Sequence, residues 1–358
     1  MNKSLIIAIN PGSTSTKLSV YDREKPVFEK IIRHSSAELN RFNKITDQLH
    51  FRKEMIMNEL IEHNIDLSSV LAVVGRGGLM KPVESGIYRV NDAMKNDLIN
   101  RPMGEHASNL GALIADEIAS ELSDTPSFSV DPVVVDELQP VARLSGHPVI
   151  SRLSIFHALN QKSVARLFAS EHGKRYEELN LIVAHMGGGI SVGAHLKGKV
   201  IDVNNALSGD GPFSPERSGG LPSSQLADLC FSGKYTHEEI KSMLVGMGGM
   251  TAYLGTNDFR EICRRASGGD ITAQLVIDAA AYQVSKEIGS MATVLKGEVD
   301  TIILTGGLAF QNSFIEKIIS SVKFIAAVTV YPGEYEMQAL VANTLLALDG
   351  KIEIKQYV

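Results

Sequence analysis

The first two apolar runs of the chain flank a short polar turn. Residues 5–9 are apolar and largely β-branched, and residues 18–21 form a second run of strand-forming character. Between them, residues 10–12 read Asn-Pro-Gly, a combination typical of turns, and four small hydroxyl residues and Lys17 follow. The pattern predicts a strand, a tight turn and a second strand.

Most of the remaining chain switches between helical and strand-like periodicity. Apolar residues recur every three or four positions in the helical stretches, and β-branched residues form short runs in the others. The predicted helices span residues 37–62, 105–122, 155–172, 272–296 and about 336–348. The predicted later strands span residues 71–74, 181–184, 190–196, 199–202, 301–304 and 324–331. Such alternation is typical of an α/β protein.

The opening turn has the composition of an anion-binding loop. Glycine and small hydroxyl residues leave backbone N–H groups uncovered, and the hydroxyls of Ser13 and Ser15 add donors. Lys17 follows directly and can neutralise a phosphate. An ordinary polar hairpin has the same composition, so this turn alone does not decide between the two interpretations.

A second stretch repeats the pattern near the middle of the chain. Residues 181–184 form a buried-type strand that leads to His185, a turn of Gly187, Gly188 and Gly189, and an alternating strand. His185 and Asn10 occupy matching places 175 residues apart (185 − 10), close to half of the 358 residues. The repeat predicts two similar α/β domains, each with a phosphate-type turn, and a nucleotide between them. A duplication that serves stability alone is the alternative.

Bulk composition excludes several function classes. The chain is 44% hydrophobic and 21% charged, and its length allows two domains with separate cores. A net charge of −6 and a pI near 6.0 argue against nucleic acid or an anionic membrane as the main partner. The two cysteines, Cys230 and Cys263, fit a reducing compartment, and residues 5–9 are too short for a signal-peptide core. We therefore expect a cytoplasmic protein with no membrane segment.

Two arginines lie beside glycines, where a ligand can approach the backbone. Arg76 follows a predicted strand in the run Gly-Arg-Gly-Gly, and Arg217 lies in a long Pro/Gly-rich loop, residues 204–222. A guanidinium presents a planar fork that matches carboxylate or phosphate. For Arg76, an incidental arginine in a surface turn is the competing interpretation.

Three further positions carry candidate chemistry. Asp131 ends a strand-like run and precedes a proline, which fits either a positioned carboxylate or the start of a turn. His157 lies near a predicted helix start, where a lone histidine is more often structural than catalytic. Gly306 and Gly307 join a strand to a helix in a turn that lets a flat ligand such as adenine lie on the backbone.

Eight ordered motifs together resemble the acetate/butyrate kinase family, within the actin and sugar-kinase ATPase superfamily. The resemblance covers nearly the whole chain and is closest to the butyrate kinase branch, because of the proline after Asn10 and the run that follows Val130. The motifs are Asn10-Pro-Gly-Ser-Thr-Ser-Thr-Lys17, Gly75-Arg-Gly-Gly78, Val130-Asp-Pro132, Ile155-Phe-His157, His185-Met-Gly-Gly-Gly189, Glu216-Arg-Ser-Gly219, Asn257-Asp-Phe-Arg260 and Thr305-Gly-Gly307.

The resemblance implies two duplicated ribonuclease H-like (actin-like ATPase) domains with a central nucleotide cleft. Residues 1–150 with a C-terminal helix at about 337–358 would bind the acyl substrate and the first phosphate turn. Residues 151–336 would bind the nucleotide and the second turn. A homodimer or a higher homo-oligomer is also implied.

The family pattern assigns roles to matching positions in this sequence. Arg76 and Arg217 would bind the acyl carboxylate and the moving phosphoryl group, Asp131 would orient an arginine or the metal's water shell, and His157 would stabilise the transition state. Asn10 and Glu336 would hold Mg²⁺, with Glu334 as a rival. The phosphate turns would be formed by Asn10, Ser13, Ser15, Lys17, His185, Gly187, Gly188 and Gly189. The nucleoside would be surrounded by Asp258, Phe259, Arg260, Gly306 and Gly307.

The implied activity is reversible transfer of the γ-phosphoryl group of ATP to butyrate or a branched short-chain acid, with Mg²⁺. In the acetate kinases of this family, Asn stands at the position of Gly188 and a second His at that of Gln161, and both departures argue against acetate as the preferred substrate. Acetate or propionate kinase activity is the first alternative. An actin-like or chaperone-like ATPase is the second, although it has no need of two arginines at an acyl site.

Overall fold

The computed structural model describes residues 3–100 and 103–358, which fall into two compact units. Unit 1 comprises Met1–Asp136 and Tyr335–Val358, and unit 2 comprises Glu137–Glu334. The sequence-based boundary after residue 150 lies inside unit 2, and the assignment of substrates to domains stays a prediction. None of the helices in the described ranges combines the length and apolar character needed to cross a membrane.

In the described residues, strands form two main sheets, one in each unit, and the seventh and eighth strands form a separate two-stranded sheet. In chain order they are β1 (Leu5–Pro11), β2 (Ser15–Asp22), β3 (Lys25–Arg33), β4 (Val70–Arg76), β5 (Ile87–Arg89), β6 (Ser127–Val130), β7 (Leu144–His147), β8 (Ile150–Ser151), β9 (Asn180–Met186), β10 (Ile190–Leu196), β11 (Lys199–Val203), β12 (Thr301–Gly306), β13 (Val328–Pro332) and β14 (Ile354–Gln356).

Helices flank both sheets. They are α1 (Ser36–Leu39), α2 (Leu49–Glu62), α3 (Asp92–Asn100), α4 (Asn109–Ser120), α5 (Ala158–Glu171), α6 (Ser223–Cys230), α7 (His237–Leu244), α8 (Gly249–Leu254), α9 (Phe259–Ser267), α10 (Ile271–Val294), α11 (Asn312–Val322) and α12 (Glu336–Leu348). The helix predicted over residues 37–62 is two helices, because α1 ends at Leu39 and α2 begins only at Leu49.

The strand predicted over residues 324–331 is shorter than expected. β13 begins at Val328, and the residues before it form a turn in which the Ile325 N–H donates to the Val322 carbonyl. Phe324 is highly exposed there. The apolar run that follows α11 therefore begins in a turn and joins the sheet only at Val328.

The same strand order recurs in both units. In unit 1, β3, β2 and β1 form an antiparallel meander, β1 pairs in parallel with β4, and β4 pairs in parallel with β6. In unit 2, β11, β10 and β9 form the meander, β9 pairs in parallel with β12, and β12 with β13. β14 and β5 extend the first sheet at the β6 edge. The repeat in the sequence is thus a repeat of the fold.

Each unit has its own apolar core. In unit 1, α2 and α4 pack on β1 and β2 through residues such as Ile56, Leu60 and Ile114. In unit 2, the long helix α10 packs on β9, β10 and β12, and it begins where Asp270 caps the Ala273 N–H at 2.9 Å. The polar ends of the central strands are therefore held on rigid supports.

Candidate active site

The carboxyl ends of β1 and β4 bring Asn10 and Arg76 together in unit 1. These strands are parallel neighbours, and Ile9 lies opposite Gly75, so the residues that follow each of them share one edge. Helix α12 starts at the same edge with Glu336. Asn10 Nδ2 donates to Glu336 Oε2 at 2.5 Å, and Arg76 Nη1 donates to the same oxygen at 3.1 Å. Three predicted site residues therefore form one cluster.

Arg76 has unused hydrogen-bonding capacity in this cluster. Its side chain is largely buried, and its Nε–H has no hydrogen-bond partner among the described residues. A buried donor without an acceptor is costly in a finished core, and it is common where a ligand completes the site. The geometry of Arg76 fits an anion binder.

The structure favours Glu336 over Glu334 as the acid of this cluster. Glu336 is 2% exposed and receives the bonds from Asn10 and Arg76, whereas Glu334 is exposed. The position of Glu336 in the first turn of α12 also suits a carboxylate, because the helix N-terminus is electropositive.

The turn after β1 places the hydroxyl residues as predicted from the sequence. Ser13 and its neighbour Thr14 are exposed, and the Gly12 N–H closes the turn on the Ser15 carbonyl at 2.7 Å. Lys17 lies directly opposite Asn10 in the antiparallel pair of β1 and β2. Opposite residues in such a pair share a face, so Lys17 and Asn10 lie on the same side of the sheet.

Asp131 is held by the loop that precedes β5. Its Oδ1 accepts from Ser85 Oγ at 2.6 Å and from the Gly86 N–H at 2.9 Å. Its φ of 37° is unusual for a residue other than glycine, and these two bonds offset the strain. The bonds indicate that Asp131 shapes the end of β6, and its predicted effect on a catalytic arginine stays a prediction.

His157 and His185 form a stacked pair in unit 2. Their rings lie 3.9 Å apart at an interplanar angle of 15°. His185 lies near the end of the buried strand β9, and His157 is the residue directly before α5. His157 Nδ1 lies 2.8 Å from Ser191 Oγ, so this bond and the stack together fix the plane of the His157 ring.

A buried polar chain supports that serine. Gln161 Nε2 donates to Ser191 O at 3.0 Å and to Ser191 Oγ at 2.8 Å, so its Oε1 accepts from His195 Nε2 at 2.9 Å. His195 Nδ1 then accepts from the Tyr176 hydroxyl at 2.7 Å. Burial, aided by nearby positive charges, holds the pKa of His195 well below its usual value, so this ring is neutral.

Arg217 lies against the second glycine turn. A Cβ on Gly189 would collide with the Arg217 guanidinium, and Arg217 Nη1 donates to the Ala206 carbonyl. A Cβ on Gly188 would lie 3.1 Å from Glu216 Oε1. The glycines thus let the Glu216–Arg217 pair approach the turn that follows His185.

The predicted nucleoside residues are only partly available to a ligand. Asp258 caps α9 by accepting from the Arg260 N–H at 3.0 Å, and the Arg260 side chain is 81% exposed. Phe259 is instead part of the core and packs edge-on against Phe314. This packing explains why Phe259 is buried, and it does not support a contact between Phe259 and a nucleoside.

The double glycine after β12 meets the end of β9. Gly306 has a φ of 93°, and a Cβ there would collide with the backbone of Met186. Gly307 has open space where a Cβ would point. The close approach of the Met186 backbone explains why residue 306 is glycine. The open space beside Gly307 fits a turn that a ligand can approach.

Comparison with known proteins identifies the family. The model of the acetokinase family matches residues 147–335. A curated relative named Butyrate kinase 1, from Clostridium acetobutylicum, is 55% identical over 98% of this chain and 99% of its own length. The chain belongs to the acetokinase family.

Solved structures establish the same fold for this acetokinase-family chain. The crystal structure of Porphyromonas gingivalis acetate kinase matches with a TM-score of 0.77 and 18% identity, over 96% of this chain and 99% of that one. A propionate kinase structure from Francisella tularensis matches at 0.75 and 20%, over 94% and 98%. The predicted actin-like ATPase fold is confirmed, and so is the enzyme class, a kinase that phosphorylates a carboxylate with ATP.

Several residues in contact with these clusters belong to none of the sequence motifs. Arg52, Ser191, His195 and Tyr176 all lie in or behind the clusters described above. Arg52 carried one signal, because it stands on the same helical stripe as Ile56 and Leu60, where a charge is out of place. The others look like ordinary strand or loop residues in the sequence.

Proposed function

We propose that the protein is a butyrate kinase, which transfers the γ-phosphoryl group of ATP reversibly to butyrate or a branched short-chain acid, giving an acyl phosphate and ADP. The observation that carries the proposal is the 55% identity, over 98% of the chain, to a relative named Butyrate kinase 1. The local geometry supports it, because both units hold charged or polar groups at the strand ends where the family motifs lie.

The acceptor needs no general base. A simple carboxylic acid titrates near the value of a glutamate side chain, about 4.3, so it is ionised at neutral pH. The obstacle is the approach of one anion to another. Catalysis then consists of holding the reactants in line and offsetting negative charge.

Arg76 binds the acyl carboxylate in this proposal. Its Nη1 is anchored to Glu336 at 3.1 Å, and its buried Nε–H has no acceptor within the described ranges. Anchoring removes much of the rotational freedom that a guanidinium would otherwise lose on binding. The remaining donors can therefore hold a carboxylate in a fixed orientation.

His157 and Arg217 stabilise the phosphoryl group as it moves. Ser191 holds Nδ1 of His157, which directs Nε2 to the opposite edge of the ring, where it can donate to a phosphoryl oxygen. Arg217 lies against Gly189 in the second glycine turn, so its charge is placed at that turn. Lys17 and the first turn offset negative charge on phosphate groups of ATP.

Oxygen donors near the first turn fit a Mg²⁺ ion that is carried by ATP. Glu336 and Asn10 offer a carboxylate and an amide oxygen, which are ligands of the hard type that Mg²⁺ prefers. In the described residues no group of three His, Cys, Asp or Glu is placed to hold a metal ion. This fits an ion bound mainly by phosphates and water, as is common in kinases. When bound, Mg²⁺ neutralises phosphate charge.

The nucleoside contacts of the proposal come from unit 2. The exposed side chains of Asp258 and Arg260 and the open turn at Gly307 are accessible, and Gly306 provides the close packing that shapes this turn. His185 and Gly187, Gly188 and Gly189 form the second phosphate turn. Ser13 and Ser15 form the first with Asn10 and Lys17.

The oligomer that we propose is a homodimer formed through unit 2. The outer face of α10 carries the exposed apolar side chains of Ile271, Leu275 and Tyr282. Beside it lies a largely apolar cavity of about 650 Å³ whose lining includes Tyr253 and Leu221. Contiguous apolar surface of this kind is typical of a protein interface.

Hydroxylamine trapping tests the proposed reaction. The full-length protein with ATP, Mg²⁺ and butyrate is expected to form a hydroxamate in proportion to the ADP released, and none without the acid. An actin-like or chaperone-like ATPase would release ADP and phosphate with no hydroxamate, which would contradict the proposal.

A further inference from the structure

Arg52 carries a positive charge in the interior of unit 1. It lies on α2 and is 1% exposed, yet none of the described residues provides an acidic side chain for an ion pair with it. Burial alone lowers the pKa of Arg52 to about 10, so the guanidinium stays charged at neutral pH. A buried charge of this kind is expensive unless something nearby compensates it.

The compensation comes from the carbonyls of the first turn. Arg52 Nη1 donates to Gly12 O at 2.8 Å and to Ser15 O at 3.1 Å, and Nη2 donates to Ser13 O at 3.2 Å. The remaining donors reach Thr16 Oγ1 at 3.1 Å and Gln48 Oε1 at 2.8 and 3.0 Å. One guanidinium therefore holds three carbonyls of a single turn.

This arrangement determines where the N–H groups of the turn point. In a planar trans peptide the C=O and the N–H point in opposite directions. Because the carbonyls of Gly12 and Ser13 face Arg52, the N–H groups of Ser13 and Thr14 face away from it. Both residues are exposed, so two successive N–H groups are presented to solvent, which is the pattern of an anion-binding nest.

The charge of Arg52 also acts through the turn. It lies directly behind the N–H groups, in a buried environment where Coulomb interactions are weakly screened. An anion on the outer side of the turn is attracted by both the N–H dipoles and the guanidinium. The two effects favour the same ligand, a phosphate group.

We propose that Arg52 is a positioning residue for nucleotide phosphate: it holds residues 12–16 in the anion-binding form and supports the bound phosphate with its charge, without touching the ligand. This role rests on the proposed function, since it assumes that the first turn binds a phosphate group of ATP. It extends the site to a residue on a helix that carries none of the recognised motifs.

The test compares ligands with and without phosphate. Full-length wild type, R52Q, R52K and the control R23Q are titrated with ADP and with adenosine by calorimetry, and the KM values for ATP and butyrate are measured. R52Q is expected to weaken ADP binding and raise the KM for ATP at least about tenfold, with adenosine affinity and the KM for butyrate within about twofold. R23Q changes an exposed arginine paired with Asp349 and is expected to match wild type.

R52K separates charge from geometry. Lysine keeps the positive charge but lacks the fork that holds several carbonyls, so ADP affinity is expected to fall between wild type and R52Q. If R52Q does not fold, R52K decides the matter by the same comparison of ADP with adenosine. Wild-type ADP affinity in a folded variant, or equal losses for ADP and adenosine, would overturn the proposal.

Failure of the Arg52 proposal can be distinguished from failure of the proposed function. A wild-type enzyme that forms no hydroxamate with any acid would remove the proposed function, while the ratio of ADP to adenosine affinity would still report on Arg52. Conversely, an active butyrate kinase whose R52Q variant binds ADP normally would leave the function standing and remove Arg52 from the phosphate site.

Discussion

Arg217 illustrates how a single side chain is placed for charge compensation. Its guanidinium occupies the space that a Cβ on Gly189 would need, and the Ala206 carbonyl holds its Nη1. Arg217 can therefore occupy this place only because residue 189 is glycine. The Gly-rich sequence indicated a turn, but only the packing shows that the turn and the arginine depend on each other.

Arg217→Ala is expected to impair turnover far more than nucleotide binding. An arginine that stabilises transferred charge contributes roughly 10³-fold or more in other phosphoryl transfers, so kcat should fall by about that factor. The KM for ATP should stay within about threefold, because the glycine turn remains. Steady-state kinetics check this, with Arg23→Ala as the surface control. A kcat close to wild type would exclude Arg217 from the mechanism.

Glu336 and Glu334 provide a matched pair for the metal-associated role. Glu336→Gln keeps the shape of the side chain but removes the charge that Asn10 and Arg76 contact, so we expect at least about a 10²-fold loss of kcat/KM and a higher Mg²⁺ requirement. Glu334→Gln alters an exposed side chain and should behave like wild type. Activity measured against Mg²⁺ concentration distinguishes them. The reverse pattern would assign the role to Glu334.

At the scale of elements, the polar chain from α5 to β10 links stability to pH. His195 is fully buried, and the causes of its lowered pKa are burial first and then the charges of Lys162 and Arg166. The folded state keeps the ring neutral, whereas the unfolded chain takes up a proton below about pH 6.5. Stability is therefore full above that pH and declines as the pH falls below it.

His195→Gln is expected to reduce this decline. Glutamine can still bond to Gln161 and Tyr176 but does not titrate, so the fall in Tm between pH 7 and pH 5 should be smaller than in wild type. Burial also lowers the pKa of His34 to about 4, so part of the fall in Tm at low pH is expected to remain in the His195 variant. His237→Gln at an exposed site is the control. An unchanged or steeper slope in the His195 variant would contradict the explanation.

Sequence periodicity predicted the helices and strands well where intrinsic propensity and the pattern of buried positions both favour the same element. The start of α12 at Glu336 and most of α10 were predicted closely, because long amphipathic patterns have few alternatives. The split between α1 and α2 and the late start of β13 were missed, since turns within an apolar or helical pattern are decided by tertiary contacts.

The site could be predicted only in part, for a similar reason. Motifs with glycine, proline and charge indicated Asn10, Arg76 and His185. Ser191 and Arg52 could not be assigned, because their roles depend on atoms that are distant in sequence: Ser191 Oγ meets His157, and Arg52 meets the turn 36 to 40 residues before it. Fixed sequence spacing carries no information on such contacts.

At the scale of the whole molecule, one strand order is used twice and carries different chemistry in each copy. The sixth residue of β1 is Asn10, and the sixth residue of β9 is His185. The first copy adds a hydroxyl-rich turn and an arginine–glutamate pair, and the second adds a glycine turn and a histidine pair. Duplication thus supplied two similar supports, and the loops after the strands set the function.

Selectivity for the acid should be graded. An apolar pocket gains only about 1–3 kcal/mol for each methylene group, so neighbouring acids in a series differ by moderate factors. Acetate, propionate, butyrate, isobutyrate and valerate should therefore all react, with an optimum at four carbons. The two positions that differ from acetate kinases, Gly188 and Gln161, lie beside Glu216 and Ser191 respectively.

The most direct test is kcat/KM for acids of two to five carbons, with hydroxamate and free phosphate measured in the same reactions. We predict hydroxamate and free phosphate in equal amounts, both matching the ADP formed, because hydroxylamine displaces phosphate from the acyl phosphate. We also predict a kcat/KM for butyrate or isobutyrate at least about tenfold above that for acetate. ATP consumption that yields free phosphate but no hydroxamate with any acid would contradict the assignment of a carboxylate kinase. A maximum at acetate would contradict the butyrate assignment alone.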